Sequence, residues 1–267
     1  MDLIIKAIIL GIVEGITEFL PISSTGHLIL VGHFMGFTGK FAVMFEIIIQ
    51  LGAILAVIFY YRKRILDSIN NIKPGQWGFK LWLWIFIAFL PSAVIGLLMN
   101  DYIDKYFFSP FTVSIALIIG AILMLVVEWK FNSPKNEDMI KVGAKKSLLI
   151  GFAQCMSLIP GMSRSASTII GGMMVGLSVK AAAEFSFFLA IPTMFAATGY
   201  SLLKGFSAMT SIEWIALAVG FVVSFIVAFF VVGKFISFLG KHSLKSFAYY
   251  RLIVGFIMLL IIGLKIL

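Results

Sequence analysis

The chain has 267 residues, of which 61% are hydrophobic and only 12% charged, and its mean hydropathy is +1.09. A soluble domain carries roughly 25% charged residues, so this composition excludes a water-covered globule and makes lipid the solvent for most of a single domain, residues 1–267. The net charge of +9 does not indicate nucleic acid, because Lys and Arg sit in short clusters between apolar spans and form no basic face interleaved with aromatics.

The first apolar stretch, Leu3–Leu20, carries Glu14 and Glu18 and no small-residue cleavage site follows it, so it is expected to be retained. It runs into Pro21-Ile22-Ser23-Ser24-Thr25-Gly26-His27 and a second short apolar arm, Leu28–Phe37. Three segments of membrane-crossing length come next: Phe41–Tyr60, Phe79–Met99 and Phe111–Trp129. After a basic linker, 130–146, the pattern recurs. Ser147–Ile159 leads into Pro160-Gly161-Met162-Ser163-Arg164-Ser165 and a short arm, Ala166–Leu177. The spans Ala182–Leu203, Glu213–Phe235 and Ala248–Ile266 complete the chain. Two short arms around a Pro/Gly-broken polar centre predict a re-entrant hairpin, which is tolerated at membrane depth only where protein or a wet cavity surrounds it. The expected fold is therefore an all-α integral membrane protein of about six transmembrane helices and two re-entrant helical hairpins.

The charges agree with six spans. One side collects Arg62, Lys63, Arg64, Lys73 and Lys80, then Lys130, Lys135, Lys141, Lys145 and Lys146, then Lys234, Lys241 and Lys245. The loops between spans on the other side hold only Lys105 and Lys204, near Asp101 and Asp104. The positive-inside rule makes the first side cytoplasmic and puts both termini outside. Gly11-Ile-Val-Glu14 also resembles Gly151-Phe-Ala-Gln154, with Glu46 and Glu184 at comparable distances downstream. Three spans per half would invert the second copy, giving repeats of approximately 1–129 and 147–267 with a polar site between them.

Ionisable groups at membrane depth cost about 2.5–3.5 kcal/mol or more and mark functional candidates. Glu14, Glu18, Glu46, Glu184 and Arg164 qualify, although the two span-end carboxylates, Glu46 and Glu184, can equally reach headgroups. Glu14 and Glu18 are four residues apart and share a helical face. Their repulsion calls for a cation between them or a proton on one, so a divalent metal and a general base are both compatible. Ser23, Ser24, Thr25 and His27 crowd a predicted helix start, more than one N-cap needs. Ser163, Arg164, Ser165 and Thr168, with Ser167, repeat the design and add a guanidinium suited to phosphate. If the hairpins meet, they form a phosphate site with acid/base groups attached. His33 and His242 lack such neighbours and are expected at the interface.

The run from Glu14 to His27, Glu-Gly-Ile-Thr-Glu-Phe-Leu-Pro-Ile-Ser-Ser-Thr-Gly-His, together with Pro160-Gly-Met-Ser-Arg-Ser-Ala-Ser-Thr168, closely resembles the bacterial undecaprenyl-diphosphate phosphatase family. That family is also called the bacitracin-resistance family, and the resemblance extends over essentially the whole chain. It implies hydrolysis of undecaprenyl diphosphate to undecaprenyl phosphate and inorganic phosphate, which recycles the carrier lipid for cell-wall synthesis. It implies too a divalent cation, Mg²⁺ or Ca²⁺, held by Glu14 and Glu18, and a plasma-membrane site open to the outer face. A homodimer is implied by the same resemblance. Joining both lines, Arg164 with Ser23, Thr25, Ser163, Ser165 and Thr168 is expected to hold the diphosphate. Ser24 is the expected nucleophile and His27 its acid/base partner, with one of Glu14 and Glu18 an alternative base and His27 an alternative nucleophile. Acid phosphatases of another superfamily also need a late His followed four residues on by Asp. Here the last His is His242 and residue 246 is Ser246, so that mechanism is unsupported. Paired hairpins in an inverted repeat are also transporter architecture, which makes a polyprenyl-phosphate flippase or anion carrier the rival.

Overall fold

The structure, a computed structural model, describes residues 2–107, 109–131, 136–204 and 209–266. Lys135 and the side chains of Asp104 and Lys204, counted in the charge bias, lie outside this description. Eleven α-helices make up the described fold: α1 (Leu3–Thr17), α2 (Ser24–Phe34), α3 (Lys40–Tyr60), α4 (Arg62–Asn70), α5 (Trp77–Phe107), α6 (Pro110–Lys130), α7 (Gly143–Cys155), α8 (Arg164–Met174), α9 (Val179–Lys204), α10 (Ser211–Leu239) and α11 (Lys245–Gly263). Six of them, α3, α5, α6, α9, α10 and α11, contain stretches long and apolar enough to cross a membrane. These coincide with the six expected spans. The basic run after α3 forms helix α4, where a loop was expected.

Local chemistry explains where helices begin. The Asp2 carboxylate accepts the Ile4 N–H at 3.0 Å and starts α1. Ser109 caps α6, with Pro110 at its first position, where the missing N–H costs nothing. Thr210 and Glu213 exchange side-chain and backbone bonds in a capping box that opens α10. The helices α2 and α8 are both capped by a serine, Ser23 and Ser163, and both are followed by a positive-φ glycine, Gly36 and Gly176. Their closing bonds also match: Phe37 N–H reaches Gly32 O at 2.8 Å and Leu177 N–H reaches Gly172 O at 2.9 Å.

Packing between the halves is exchanged. Helix α1 rests on α10, where a Cβ added to Gly11 would stand 2.7 Å from the Gly220 carbonyl. Helix α7 rests on α5, where Gly151 faces the Ala88 carbonyl and the Pro91 ring just as closely. Gly52 brings α3 against the Phe221 carbonyl of α10, and Gly255 brings α11 against Ser114 of α6. Small residues at such crossings let backbones approach, which is how helices gain contact area in lipid. The largest buried cluster surrounds α8 and α9, with Phe185, Phe187 and Phe188 at most 1% exposed. The two polar turns are thereby held inside the bundle.

Candidate active site

The turn after α1 (residues 18–23) and the turn before α8 (residues 159–163) meet. Ser165 Oγ, in the first turn of α8, donates to Leu20 O of the other segment at 2.9 Å. Each turn ends on a serine in a backbone conformation that side chains rarely adopt: Ser23 has φ 71° and ψ 97°, Ser163 φ 71° and ψ 120°. Such backbone costs about 1–3 kcal/mol and persists where its surroundings enforce it. Both serines cap the following helix, accepting N–H bonds from Gly26 and Ala166. The next residue, the first of each helix, is Ser24 in one turn and Arg164 in the other. One turn thus presents a hydroxyl where the other presents a guanidinium.

Glu18 connects them. Its Oε2 accepts the Ser24 hydroxyl proton at 2.6 Å, and its Oε1 pairs with Arg164 Nη2 at 3.0 Å. Both partners of the pair are about nine-tenths buried. Breaking such a pair on one side costs roughly 3–5 kcal/mol, so it is held. Arg164 Nη1 donates to the carbonyl and hydroxyl of Ser186 on α9, and the guanidinium lies over the Phe19 ring at 5.5 Å. Thr168 fixes Ser186 in turn: its hydroxyl donates to Arg164 O at 2.8 Å and is left to accept from Ser186 Oγ at 2.6 Å. Arg164 Nε is buried and has no hydrogen-bond partner among the described residues. A donor left in this state suits an anionic oxygen.

The other expected residues fall at defined places. Thr25 is half-buried in the first turn of α2. Ser163 and Ser165 share a hydroxyl bond of 3.0 Å. His27 is close in sequence to Ser24, but its Nδ1 faces Ser23 O at 2.7 Å and its Nε2 faces the Tyr250 hydroxyl at 2.8 Å. Glu14 is 0% exposed, and neither carboxylate oxygen has a hydrogen-bond partner among the described residues. Glu184 pairs with Arg64 at 2.8 Å and stands apart from the Glu18–Arg164 pair. Ser186, two residues further along α9, is the one that reaches Arg164. His33 contacts the Ile266 carbonyl at 2.7 Å.

Sequence reasoning missed Arg251. This residue, inside span α11, is 0% exposed and donates to five carbonyls. Its Nη1 reaches Pro21 O in the first turn and Met162 O in the second, and its Nη2 reaches Gly161 O and Ala116 O. One guanidinium therefore pins both turns to each other and to α6. The signal was available, since an Arg amid an apolar span meets the same criterion that singled out Glu14 and Glu18. Gly120 makes the room, for a Cβ there would collide with Arg251 Nη2.

A divalent cation can be tested against these side chains. No group of three or more His, Cys, Asp or Glu is arranged to hold a metal among the described residues. Mg²⁺, however, is commonly held by one or two carboxylates together with substrate phosphates and water. The unpartnered, fully buried Glu14 carboxylate beside Glu18 fits that mode, because a buried charge without a partner demands a cation or a proton.

An all-helical membrane-spanning protein with a buried serine–carboxylate–guanidinium network is the class that this fold and site define. The chain belongs to the bacitracin resistance protein BacA family, whose profile matches residues 7–257. It is 70% identical over 267 residues to the undecaprenyl-diphosphatase of Thermoanaerobacter sp. (strain X514), covering 100% of this chain and 99% of that protein. The undecaprenyl-diphosphatase of Clostridium tetani (strain Massachusetts / E88) is 50% identical over 268 aligned residues, covering 100% of this chain and 99% of that protein. That of Acinetobacter baumannii (strain SDF) is 48% identical over 258 residues, covering 96% and 95%.

Proposed function

We propose that this protein hydrolyses undecaprenyl diphosphate to undecaprenyl phosphate and inorganic phosphate where the two turns meet, with Ser24 as nucleophile and Glu18 as its base. The 2.6 Å bond from the Ser24 hydroxyl to Glu18 carries the assignment, since it gives the attacking oxygen a proton acceptor already in place. Ser24 Oγ forms a bond to the terminal phosphorus while the anhydride P–O bond breaks. The Ser24 proton passes to Glu18 and from there to the departing undecaprenyl phosphate. Water then attacks the phosphoserine phosphorus, giving a proton to Glu18, while the Ser24 Oγ–P bond breaks; Glu18 returns the proton to Ser24 and inorganic phosphate leaves. Arg164, anchored by Ser186 and Glu18, offers its Nε–H to a phosphate oxygen and stabilises the charge that spreads over the transferred group. Ser23, Thr25, Ser163, Ser165 and Thr168 shape the phosphate cradle around it.

Mg²⁺ or Ca²⁺ would be held by Glu14 and Glu18. When bound, such an ion neutralises diphosphate charge. The two turns are read as re-entrant hairpins of an inverted repeat. The matched courses of α2 and α8 and the exchanged packing of α1 on α10 and α7 on α5 support this. By the charge bias the site opens to the outer face of the plasma membrane. A homodimer belongs to the same reading, and light scattering in detergent tests it.

The deciding experiment measures phosphate release from undecaprenyl diphosphate by purified protein in detergent, with and without chelator. Release that the chelator abolishes and added Mg²⁺ or Ca²⁺ restores is expected. Absence of release, with lipid phosphate moved across proteoliposome bilayers instead, would favour a flippase on the same repeat architecture.

A further inference from the structure

We propose that His27 is a positioning residue, locked by Tyr250 of α11, that holds the Ser23–Ser24 peptide in place and takes no part in proton transfer. This deepens the hydrolase reading and rests on Ser24 as its attacking group. A backbone carbonyl only accepts, so the His27 nitrogen 2.7 Å from Ser23 O must be a protonated Nδ1. In the neutral ring Nε2 is then bare and accepts the Tyr250 hydroxyl proton at 2.8 Å. The two ring planes are parallel to within 4°, with their centroids 5.5 Å apart. Both nitrogens are occupied, and neither is spent on Ser24, whose proton faces Glu18.

The second turn supplies an internal comparison. There Ser167, four residues beyond Ser163 as His27 is beyond Ser23, donates its hydroxyl to Ser163 O at 2.9 Å. A serine hydroxyl placed this way performs no acid/base work near neutrality. What the two turns share is a side-chain donor on the carbonyl of the positive-φ serine. The first turn needs it more. Its backbone bond, His27 N–H to Ser23 O, is stretched to 3.4 Å, against 3.0 Å for Ser167 N–H to Ser163 O. The imidazole takes over from that weak bond. Because the Ser23 carbonyl and the Ser24 nitrogen share one peptide plane, fixing the carbonyl fixes the direction in which Ser24 leaves the chain. Around the ring, Tyr250 and Arg251 are the titratable groups of α11, while α6 brings Val113 and Leu117 against neighbouring Gly26.

Two measurements test the proposal. In ¹⁵N-histidine-labelled protein, with the other signals assigned through His33→Asn and His242→Asn, His27 should show a protonated Nδ1 and a bare Nε2, and Tyr250→Phe should shift the Nε2 resonance. A protonated Nε2 with bare Nδ1 overturns it. In kinetics, His27→Asn places an amide N–H near the Nδ1 position without any acid/base capacity. It should keep kcat within about tenfold of the parent with an unchanged pH profile, whereas His27→Ala loses about 100-fold or more at a KM within about threefold. An Asn variant as inactive as the Ala variant, or one lacking a limb of the pH profile, restores proton transfer to His27. Parent protein that releases no phosphate overturns the hydrolase reading instead, and the tautomer measured on that same sample still decides the present one.

Discussion

At the level of single residues, Glu18 is the hinge of the chemistry, because one carboxylate receives the Ser24 proton and holds Arg164. Glu18→Gln keeps the shape but removes the base, so kcat should fall by about 10²–10⁴-fold. Ser24→Ala should abolish turnover, and phosphate trapped on the quenched parent enzyme should map to Ser24. Full-rate hydrolysis by the Ala variant would sink the assignment. Arg164→Lys retains charge but lacks the planar fork that binds Ser186 and Glu18 together. A loss of about 10²–10³-fold in kcat is expected, and a Lys enzyme near parental rate would show that charge alone suffices. The sequence disclosed these residue types because Glu and Arg are costly at membrane depth. It did not disclose their pairing. The spacing of Glu14 and Glu18 on one helical face left metal ligand and base equally open, and only three-dimensional placement sets one against Ser24 and leaves the other without a donor.

Among elements, the six long helices were legible because a run of about 20 apolar residues has one common use. The short arms were legible through their Pro/Gly-broken centres. Less legible was α11, which looked like an ordinary span. It carries Tyr250 to His27 and Arg251 to the carbonyls of both turns. Contacts separated by 89 to 230 residues leave no local periodicity to read, and Ser186, 22 residues from Arg164, escaped notice because the two sit on different helices. Arg251→Lys cannot satisfy five carbonyls with one ammonium, and each buried carbonyl left unpaired costs about 1–3 kcal/mol. A lowered melting temperature in detergent is expected together with a loss of kcat larger than the folded fraction explains. Gly120→Ala, which leaves Arg251 in the chain but drives a methyl into its guanidinium, should reproduce both effects. Parental stability and rate in the two variants would remove α11 from the support of the site.

For the whole molecule, the proposed orientation rests on the bias of Lys and Arg toward one set of loops. With the single Cys155 replaced by Ala, a cysteine at Lys105 should react with an impermeant maleimide in intact cells, and one at Lys141 only after lysis. The opposite pattern would invert the topology and turn the proposed outer-facing site inward.

The exchanged seats of α1 and α7 bear on how the protein is made. Helix α7 emerges from the ribosome after its seat on α5, but α1 emerges before α10, whose Gly220 and Ser224 carbonyls receive Gly11 and Gly15. Helix α1 must therefore wait, without its seat on α10, through most of translation. Expressed alone, residues 1–131 should be degraded, while co-expression with residues 136–267 as a separate chain should rescue both and restore phosphate release. Assembly of this protein is in that sense already an association of two partners, joined by a tether that orders their synthesis.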